Sequence, residues 1–184
     1  RYAAFLILKN NPPNQIYFLK KKFIKLNYKH LTSINLHSEE ISKYSSIIAK
    51  QKKVRMILRD YQKKFAQKFK RIAIEGRDIS SKILNKNPRY DIAFFFKCNL
   101  TIAAKRRWKD LKAKNEQITL NQVKKSLKKR NELDVNRRFS PLIQTKDSII
   151  IRTDILSKKE MVDKMSKEIE KNLFLFCLNI SSIF

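Results

Sequence analysis

The sequence is poor in the residues from which several kinds of functional site are built. Its 184 residues include one glycine, Gly76, two cysteines and two histidines. With a single glycine, the chain cannot form a glycine-rich loop that wraps phosphate groups. Cys98 and Cys177 lie far apart, and His30 and His37 are seven residues apart, so the spacing indicates neither a disulfide scaffold nor a metal site. We interpret the cysteines as reduced thiols of a cytosolic protein.

A membrane-length apolar run and an initiator methionine are also missing. The longest apolar stretch, LFLFCLNISSIF near the end, is shorter than the roughly 20 residues of a membrane span and is interrupted by Asn179. We therefore expect a cytoplasmic protein with no membrane partner. The chain begins with RYAAFLIL, and we expect that an N-terminal part of the protein precedes Arg1.

Acidic residues are scarce relative to basic ones. The chain has 16 Asp and Glu against 43 Lys and Arg, which gives a formal net charge of +27 and a pI near 10.3. A balance this basic is typical of proteins that bind nucleic acids or other anions. The cations are 31 lysines and 12 arginines, and the abundance of Lys, Asn and Ile can reflect a coding bias. Arginines are therefore more informative, because lysine cannot replace a planar, bidentate guanidinium.

The spacing of apolar residues predicts an α/β domain with a parallel sheet. Buried strands are predicted over 72–75, 90–96 and 147–153, and 79–84 is predicted to continue the first. Helices are predicted over 1–9, 38–48, 53–69, 101–114, 119–138 and 158–171, with N-caps at Ser38, Thr119 and Ser157. Residues 16–35 are Lys-rich, and the spacing of their apolar residues follows no single period. They are predicted to be a connector or a small insertion.

The segment around the only glycine, IAIEGRDISS, predicts a ligand site. Gly76, Arg77 and Asp78 follow directly on the predicted strand over 72–75. Ligands of open parallel sheets bind beyond the carboxyl ends of the strands, and glycine allows a sharp turn or a close backbone approach. Arg77 and Asp78 would then project into the crevice. The alternative is a surface ion pair that follows a strand.

A second constellation lies on the helix predicted over 119–138. The apolar stripe Leu120, Val123 and Leu127 continues at helical spacing as Arg130, Asp134 and Arg137. The face thus changes from apolar to charged, either as a solvated helix end or as the wall of a polar cleft. In a cleft, two guanidiniums could hold phosphate oxygens and a carboxylate could accept from a sugar hydroxyl. Arg106 and Arg107 add cations, and such a cluster suits phosphoryl transfer.

Taken together, these segments resemble the bacterial cytidylate kinase family. The matching stretches are SSIIAKQKKVRMILRDYQKKFA, IAIEGRDIS, DIAFFFKCNLTIAAKRRW, LKKRNELDVNRRFSPL and DSIIIRTDILSKKEMV, which cover roughly residues 38–170 in the family's order. The EGRD segment and the R-x3-D-x2-R segment followed by PL are the specific ones. RYAAFLIL is similar to the start of the helix after the family's nucleotide-binding loop.

The resemblance implies a three-layer P-loop NTPase fold of the nucleoside monophosphate kinase type. It implies one domain over 1–173, in which 9–70 bind the nucleoside monophosphate and 98–140 form a lid, and an apolar tail over 174–184. It also implies transfer of the γ-phosphoryl group of ATP to CMP or dCMP with Mg²⁺, by a monomer without a specific nucleic-acid partner.

The resemblance also assigns site residues. Ser46, Arg55 and Asp78 fall on the positions that recognise cytosine, whose exocyclic amine suits a carboxylate acceptor. Arg77 and Arg137, with Arg1, fall on positions that hold the CMP phosphate.

The remaining assigned residues face the sugar and the transferred group. Asp134 and Arg130 fall on sugar- and phosphate-facing positions. Arg107, with Arg106, belongs to the lid over the ATP phosphates. Arg107, Arg130 and Arg137 are therefore the candidate catalytic residues, and no carboxylate base is required, because alignment and charge dominate phosphoryl transfer.

Several features depart from the family pattern. The P-loop and the first strand would precede residue 1, so we expect a truncated chain that does not turn over ATP. Residues 9–37 are shorter than the usual insertion. Lys97 and Arg152 stand where acidic residues are usual after the last two strands.

Two other functions fit parts of the sequence. A basic nucleic-acid-binding protein would use the charge through phosphate contacts and would ignore CMP, although no recognisable nucleic-acid motif is present. A sibling kinase with UMP or AMP as acceptor would share most of the pattern.

Overall fold

The computed structural model describes residues 1–27, 31, 34–36 and 38–181, with the backbone alone described for residues 39 and 175–181. His30, His37 and the last three residues of the predicted tail lie outside the described residues. The chain divides into two compact units, which are considered separately. Unit 1 comprises Arg1–Gly76 with Lys86–Pro88, and unit 2 comprises Arg77–Asn85 and the chain from Arg89 onward. The assignment of residues to domains stays a prediction.

Unit 1 contains four helices: α1 (Tyr2–Asn10), α2 (Gln15–Ile24), α3 (Glu39–Ile48) and α4 (Lys52–Gln67). Side-chain caps start two of them. The Asn14 side chain accepts from Tyr17 N at 3.0 Å, and the Ser38 hydroxyl accepts from Ile41 N at 3.3 Å. The predicted cap at Ser38 is therefore confirmed. These caps satisfy backbone donors that have no partner within the first turn of a helix.

The core of unit 1 is made by one apolar face from each helix. Its buried residues are Ala3, Ala4, Leu6, Ile7, Leu19, Phe23, Ile41, Ile48 and Val54. The ring of Phe23 packs edge-on against Tyr2 and Tyr61. The prediction of a connector over 16–35 is thus wrong for its first half, because α2 buries Leu19 and Phe23 at helical spacing. Three consecutive lysines between those two residues obscure the period in the sequence.

Unit 2 contains a parallel pair of strands, β1 (Phe94–Lys97) and β2 (Ile149–Arg152). The register aligns Phe94 with Ile149 and Lys97 with Arg152, and Ile151 is fully buried. Parallel pairing of these two segments is confirmed, although both strands are shorter than predicted. The prediction of a buried strand over 90–96 is wrong at Phe96, whose exposed fraction is 55%.

The predicted first strand is wrong. Residues 72–75 are not in a strand, and Ile72 is 39% exposed. Ile79–Ile83, expected to extend that strand, form a π-helical turn instead. A strand requires a neighbour for its backbone hydrogen bonds, and the sheet found in the described residues contains β1 and β2 alone. An apolar run in the sequence predicts that a segment is buried, but it does not show whether a second strand lies beside that segment.

The helices of unit 2 begin within one residue of the predicted segments, but the last one continues ten residues beyond its predicted end at 171, into the predicted apolar tail. They are α5 (Leu100–Lys112), α6 (Leu120–Asn136) and α7 (Lys158–Ser181). Thr119 and Gln122 form a reciprocal capping box at the start of α6, as Ser157 and Glu160 do at the start of α7. The predicted caps at Thr119 and Ser157 are confirmed.

The α5–α6 hairpin has a small core of its own. Ala104, Leu111 and Val123 are buried between the two helices. The indole of Trp108 packs against them and donates to the carbonyl oxygen of Ile118 at 2.9 Å, which fixes the connecting loop to α5. No helix in the described parts of the chain combines the length and the apolar content that a membrane crossing needs.

An aspartate paired with an arginine lies at each end of the β1–β2 pair. At the carboxyl ends, Asp154 accepts from the Nε and Nη2 of Arg152, both at 3.0 Å, and from Asn99 N at 3.1 Å. These hydrogen bonds, led by Arg152, lower the pKa of Asp154 to about 2. At the opposite ends, Asp147 accepts from the Tyr90 hydroxyl at 2.7 Å and pairs with Arg89 at 2.9 Å. Asp154 thus neutralises one of the two cations that end the strands.

We expect Leu19→Ala to lower the free energy of unfolding by about 2–5 kcal/mol, because it leaves a cavity in the core of unit 1. Tyr17→Ala on the same helix is the control, since Tyr17 is 66% exposed and its loss should cost far less. Chemical denaturation followed by circular dichroism measures both. Equal effects of the two substitutions would contradict the placement of α2 in the core.

We expect Asp154→Asn to lower the melting temperature at neutral pH, with a deficit that shrinks in acid. The folded-state pKa lies below the ordinary value, so the stabilisation is present above about pH 4 and is lost as the pH falls toward 2. Melting curves between about pH 7 and about pH 2.5 test this. Asp163→Asn, at an exposed position of α7, serves as the control. A deficit that stays constant down to the lowest pH would exclude the charged pair as its cause.

Candidate functional site

A carboxylate shared by two arginines is the main polar cluster of unit 2. Asp134 Oδ2 lies 3.2 Å from Arg77 Nε, and Asp134 Oδ1 lies 3.4 Å from Arg137 Nη1. The side chain of Asp134 is 17% exposed, and both guanidiniums are more accessible than it is. The structure thus brings together three of the residues singled out in the sequence, from segments more than 50 residues apart.

The end of α6 positions the two residues it contributes. Asp134 lies in the last turn, and Arg137 ends the helix with an extended backbone at φ −66° and ψ 137°. The chain then folds back, so that Leu142 N donates to the Asp134 carbonyl at 2.7 Å and Arg137 Nε donates to the Ser140 carbonyl. This loop orients the Arg137 guanidinium next to the carboxylate.

Ser140 was not recognised from the sequence. It holds Arg137 through its carbonyl oxygen, and its backbone adopts a positive φ of 54°, which is uncommon for a residue with a Cβ. The signal that could have identified this turn is the Ser140-Pro141 dipeptide, because a serine before proline favours a turn.

The cluster carries a surplus of positive charge. Two guanidiniums share one carboxylate, so Arg77, Asp134 and Arg137 together contribute one net positive charge. Guanidiniums form bidentate, charge-assisted hydrogen bonds with phosphate oxygens. The geometry is therefore suited to an anion that brings further oxygen acceptors.

Gly76 does not serve as a left-handed turn. Its φ is not positive, so a sharp turn of the kind that needs glycine is not formed there. Asp78 follows two residues later and is buried, at 8% exposure. Its carbonyl accepts from Lys82 N at 2.9 Å and from Ile83 N at 3.1 Å, which begins the π-helical turn. Asp78 is thus buried beside this turn, and its role in a ligand site stays a prediction.

Other candidate residues of unit 2 lie outside the cluster. Arg130 and Arg107 are exposed, and neither forms an ion pair with Asp134 within the described part of the chain. Arg106 donates from Nη2 to the carbonyl oxygen of Thr153 at 2.7 Å and so ties α5 to the end of β2. The face of α6 does change from apolar at Leu127 to charged at Arg130, as the spacing predicted.

Three candidate residues belong to unit 1. Ser46 is exposed, and its hydroxyl donates to Ser42 O at 3.2 Å within α3. Arg55 is half-buried and donates from Nη1 to Ala49 O at 3.4 Å. Arg1 donates from Nη1 to Leu36 O at 3.2 Å. The roles of these residues in a ligand site stay predictions.

Comparison with known proteins gives consistent matches. The family model described as cytidylate kinase matches residues 8–171. Cytidylate kinase from Clostridium tetani (strain Massachusetts / E88) is 35% identical over 136 residues, which are 74% of this chain and 57% of that protein. Cytidylate kinase from Clostridium botulinum (strain Loch Maree / Type A3) is 34% identical over 135 residues, which are 73% of this chain and 58% of that protein.

A relative from another genus gives the same result. Cytidylate kinase from Caldanaerobacter subterraneus subsp. tengcongensis is 34% identical over 132 residues, which are 72% of this chain and 57% of that protein. The chain thus spans a little under three fifths of the length of the curated relatives it matches. The match to the family model covers most of the chain and agrees with these relatives, so the chain belongs to the cytidylate kinase family.

Proposed function

We propose that this chain contributes the acceptor-binding part of a kinase that transfers the γ-phosphoryl group of ATP to CMP or dCMP. The observation that carries the proposal is the cluster in which Asp134 holds Arg77 and Arg137 within 3.4 Å. Membership of the cytidylate kinase family supports the reaction class. The relatives named cytidylate kinase are longer than this chain, which matches 58% of the length of the one from Clostridium botulinum (strain Loch Maree / Type A3).

In this proposal the phosphate of CMP binds to Arg77 and Arg137. Asp134 keeps the two guanidiniums aligned and prevents them from repelling each other before the ligand arrives. A phosphate oxygen then replaces part of the interaction that each arginine makes with the carboxylate. Asp134 is left able to accept from a ribose hydroxyl. Because the arginine donors are already held in place before CMP binds, the entropic cost of ordering them around the phosphate is lower.

Recognition of the base is assigned to Ser46, Arg55 and Asp78 by similarity to the family. A carboxylate such as that of Asp78 can accept from the exocyclic amine of cytosine, and a guanidinium can donate to its ring acceptors. UMP has a carbonyl in place of that amine. Its carbonyl oxygen and the Asp78 carboxylate would then be two hydrogen-bond acceptors that face each other. We therefore expect CMP and dCMP to be preferred.

Stabilisation of the transferred group is assigned to Arg107, Arg130 and Arg137. The exposed guanidiniums of Arg107 and Arg130 are available to ATP phosphates, whose charge must be neutralised in the transition state. Mg²⁺ would arrive with ATP, since Mg²⁺ is commonly bound through substrate phosphates. Asp134 and Asp154 are each engaged by arginines, and no group of three potential ligands occurs among the described residues.

We expect Arg77→Ala and Arg137→Ala each to weaken CMP binding by about 10- to 100-fold, which corresponds to one or two charge-assisted hydrogen bonds. Arg89→Ala is the matched control, because Arg89 is also an exposed arginine paired with an aspartate, Asp147, but lies outside the cluster. Isothermal titration of the chain with CMP measures the affinities, and melting curves verify that each variant is folded. Unchanged affinity in both cluster variants would remove the assignment.

We expect the 184-residue chain by itself to show no ATP turnover with CMP, because its single glycine cannot form a phosphate loop. Release of ADP in a coupled assay measures this, and a rate above background would refute the expectation. The same assay on the complete protein, with CMP, dCMP, UMP and AMP, separates a cytidylate kinase from a sibling with another acceptor.

A further inference from the structure

The basic residues of the chain are distributed unevenly over its helices. Residues 52–71, which comprise α4 and the four residues after it, contain nine Lys and Arg and one acidic residue, Asp60. Residues 158–174 of α7 contain five lysines and four acidic residues. A coding bias toward lysine acts on both segments alike, so it does not explain why one of them has almost no carboxylates.

The packing of α4 directs its cations outward. Val54 is fully buried, and Ile57, Leu58 and Tyr61 pack against the core of unit 1 on the same face. The opposite face carries exposed cations, and Lys68, Lys70 and Arg71, which follow the helix directly, are exposed as well. Arg55, assigned above to cytosine, is half-buried and does not belong to this exposed set. The surface formed by Lys52, Lys53, Arg59, Lys64, Lys68, Lys70 and Arg71 is called the α4 basic surface.

The helix itself is electrostatically unfavourable. Its first turn contains Lys52 and Lys53 and no acidic residue, although helix N-termini favour negative charge. Arg59 and Lys63, and Lys64 and Lys68, are like charges four residues apart, an arrangement that destabilises helices. Asp60 lies 3.6 Å from Arg59 and is the only carboxylate on the helix. An external polyanion would relieve this repulsion.

We propose that the α4 basic surface binds the phosphate backbone of nucleic acids without sequence preference, in addition to the proposed kinase function. α4 has 16 residues and is about 24 Å long, a length over which duplex DNA presents about 14 phosphate charges. Over residues 52–71 the exposed large apolar side chains are Met56 and Phe69, which are few beside the seven cations, so binding through charge is favoured over insertion into a lipid surface. Lysines suit this role because they interact with phosphates as point charges.

The test compares two triple variants that remove the same charge. One carries Lys53→Gln, Lys64→Gln and Lys68→Gln on the α4 basic surface, and the other carries Lys158→Gln, Lys159→Gln and Lys167→Gln at exposed positions of α7. Fluorescence anisotropy with a mixed-sequence DNA duplex of about 20 base pairs measures the dissociation constant over a range of salt concentrations.

We expect the α4 variant to bind at least tenfold more weakly and to have a salt slope that is smaller by about 2.7, because each of the three lost phosphate contacts removes about 0.9 from the slope. The α7 variant should change both quantities much less. Replacing the same α4 lysines by arginine should retain binding. Equal losses in the two glutamine variants would assign binding to net charge alone and would overturn the proposal.

Two further arms separate this proposal from its alternatives. In the first, vesicles of phosphatidylcholine with phosphatidylserine replace DNA. The nucleic-acid assignment would be overturned if the chain bound these vesicles more tightly than DNA and this binding also depended on the α4 lysines. Titration with CMP should be unchanged in the α4 variant, because its three lysines belong neither to the Asp134 cluster nor to the residues assigned to cytosine. A loss of CMP binding in this variant would contradict the separation of the two surfaces.

Discussion

The arrangement of the candidate site depends on one carboxylate that faces two guanidiniums. Arg77 and Arg137 both lie within 3.4 Å of Asp134 and would repel each other without it, and Asp134 and Arg137 also hold the loop after α6. The shared carboxylate is only partly accessible, so water screens the interaction less than at a fully exposed pair. A small polar cluster can thereby hold segments distant in sequence in one arrangement, which is the requirement for binding a small anion.

Elements whose structure is specified locally could be predicted from the sequence. Ser38, Thr119 and Ser157 start helices as predicted, because a cap depends on a side chain and a backbone group only three residues apart. The stripe Leu120, Val123 and Leu127 packs into the hairpin core for a similar reason. Helical periodicity and capping need no information from elsewhere in the chain.

Elements that depend on distant partners could not be predicted in this way. Residues 72–75 have the composition of a buried strand, but a strand forms only where another strand receives its hydrogen bonds. The sequence does not predict helix α2, because three consecutive lysines between the buried residues Leu19 and Phe23 obscure their helical spacing. Likewise, the sequence pointed to Arg77, Asp134 and Arg137 as candidates, whereas the carboxylate between the two arginines and the role of Ser140 became visible only in three dimensions.

The single tryptophan of the chain lies in the α5–α6 hairpin, where its indole packs on the hairpin core and donates to Ile118. Its intrinsic fluorescence is therefore a reporter of that hairpin, while five of the six tyrosines belong to the segment that precedes Gly76. Emission excited at the red edge of indole absorption therefore arises in the hairpin, whereas the tyrosines report mainly on the segment that contains Leu19.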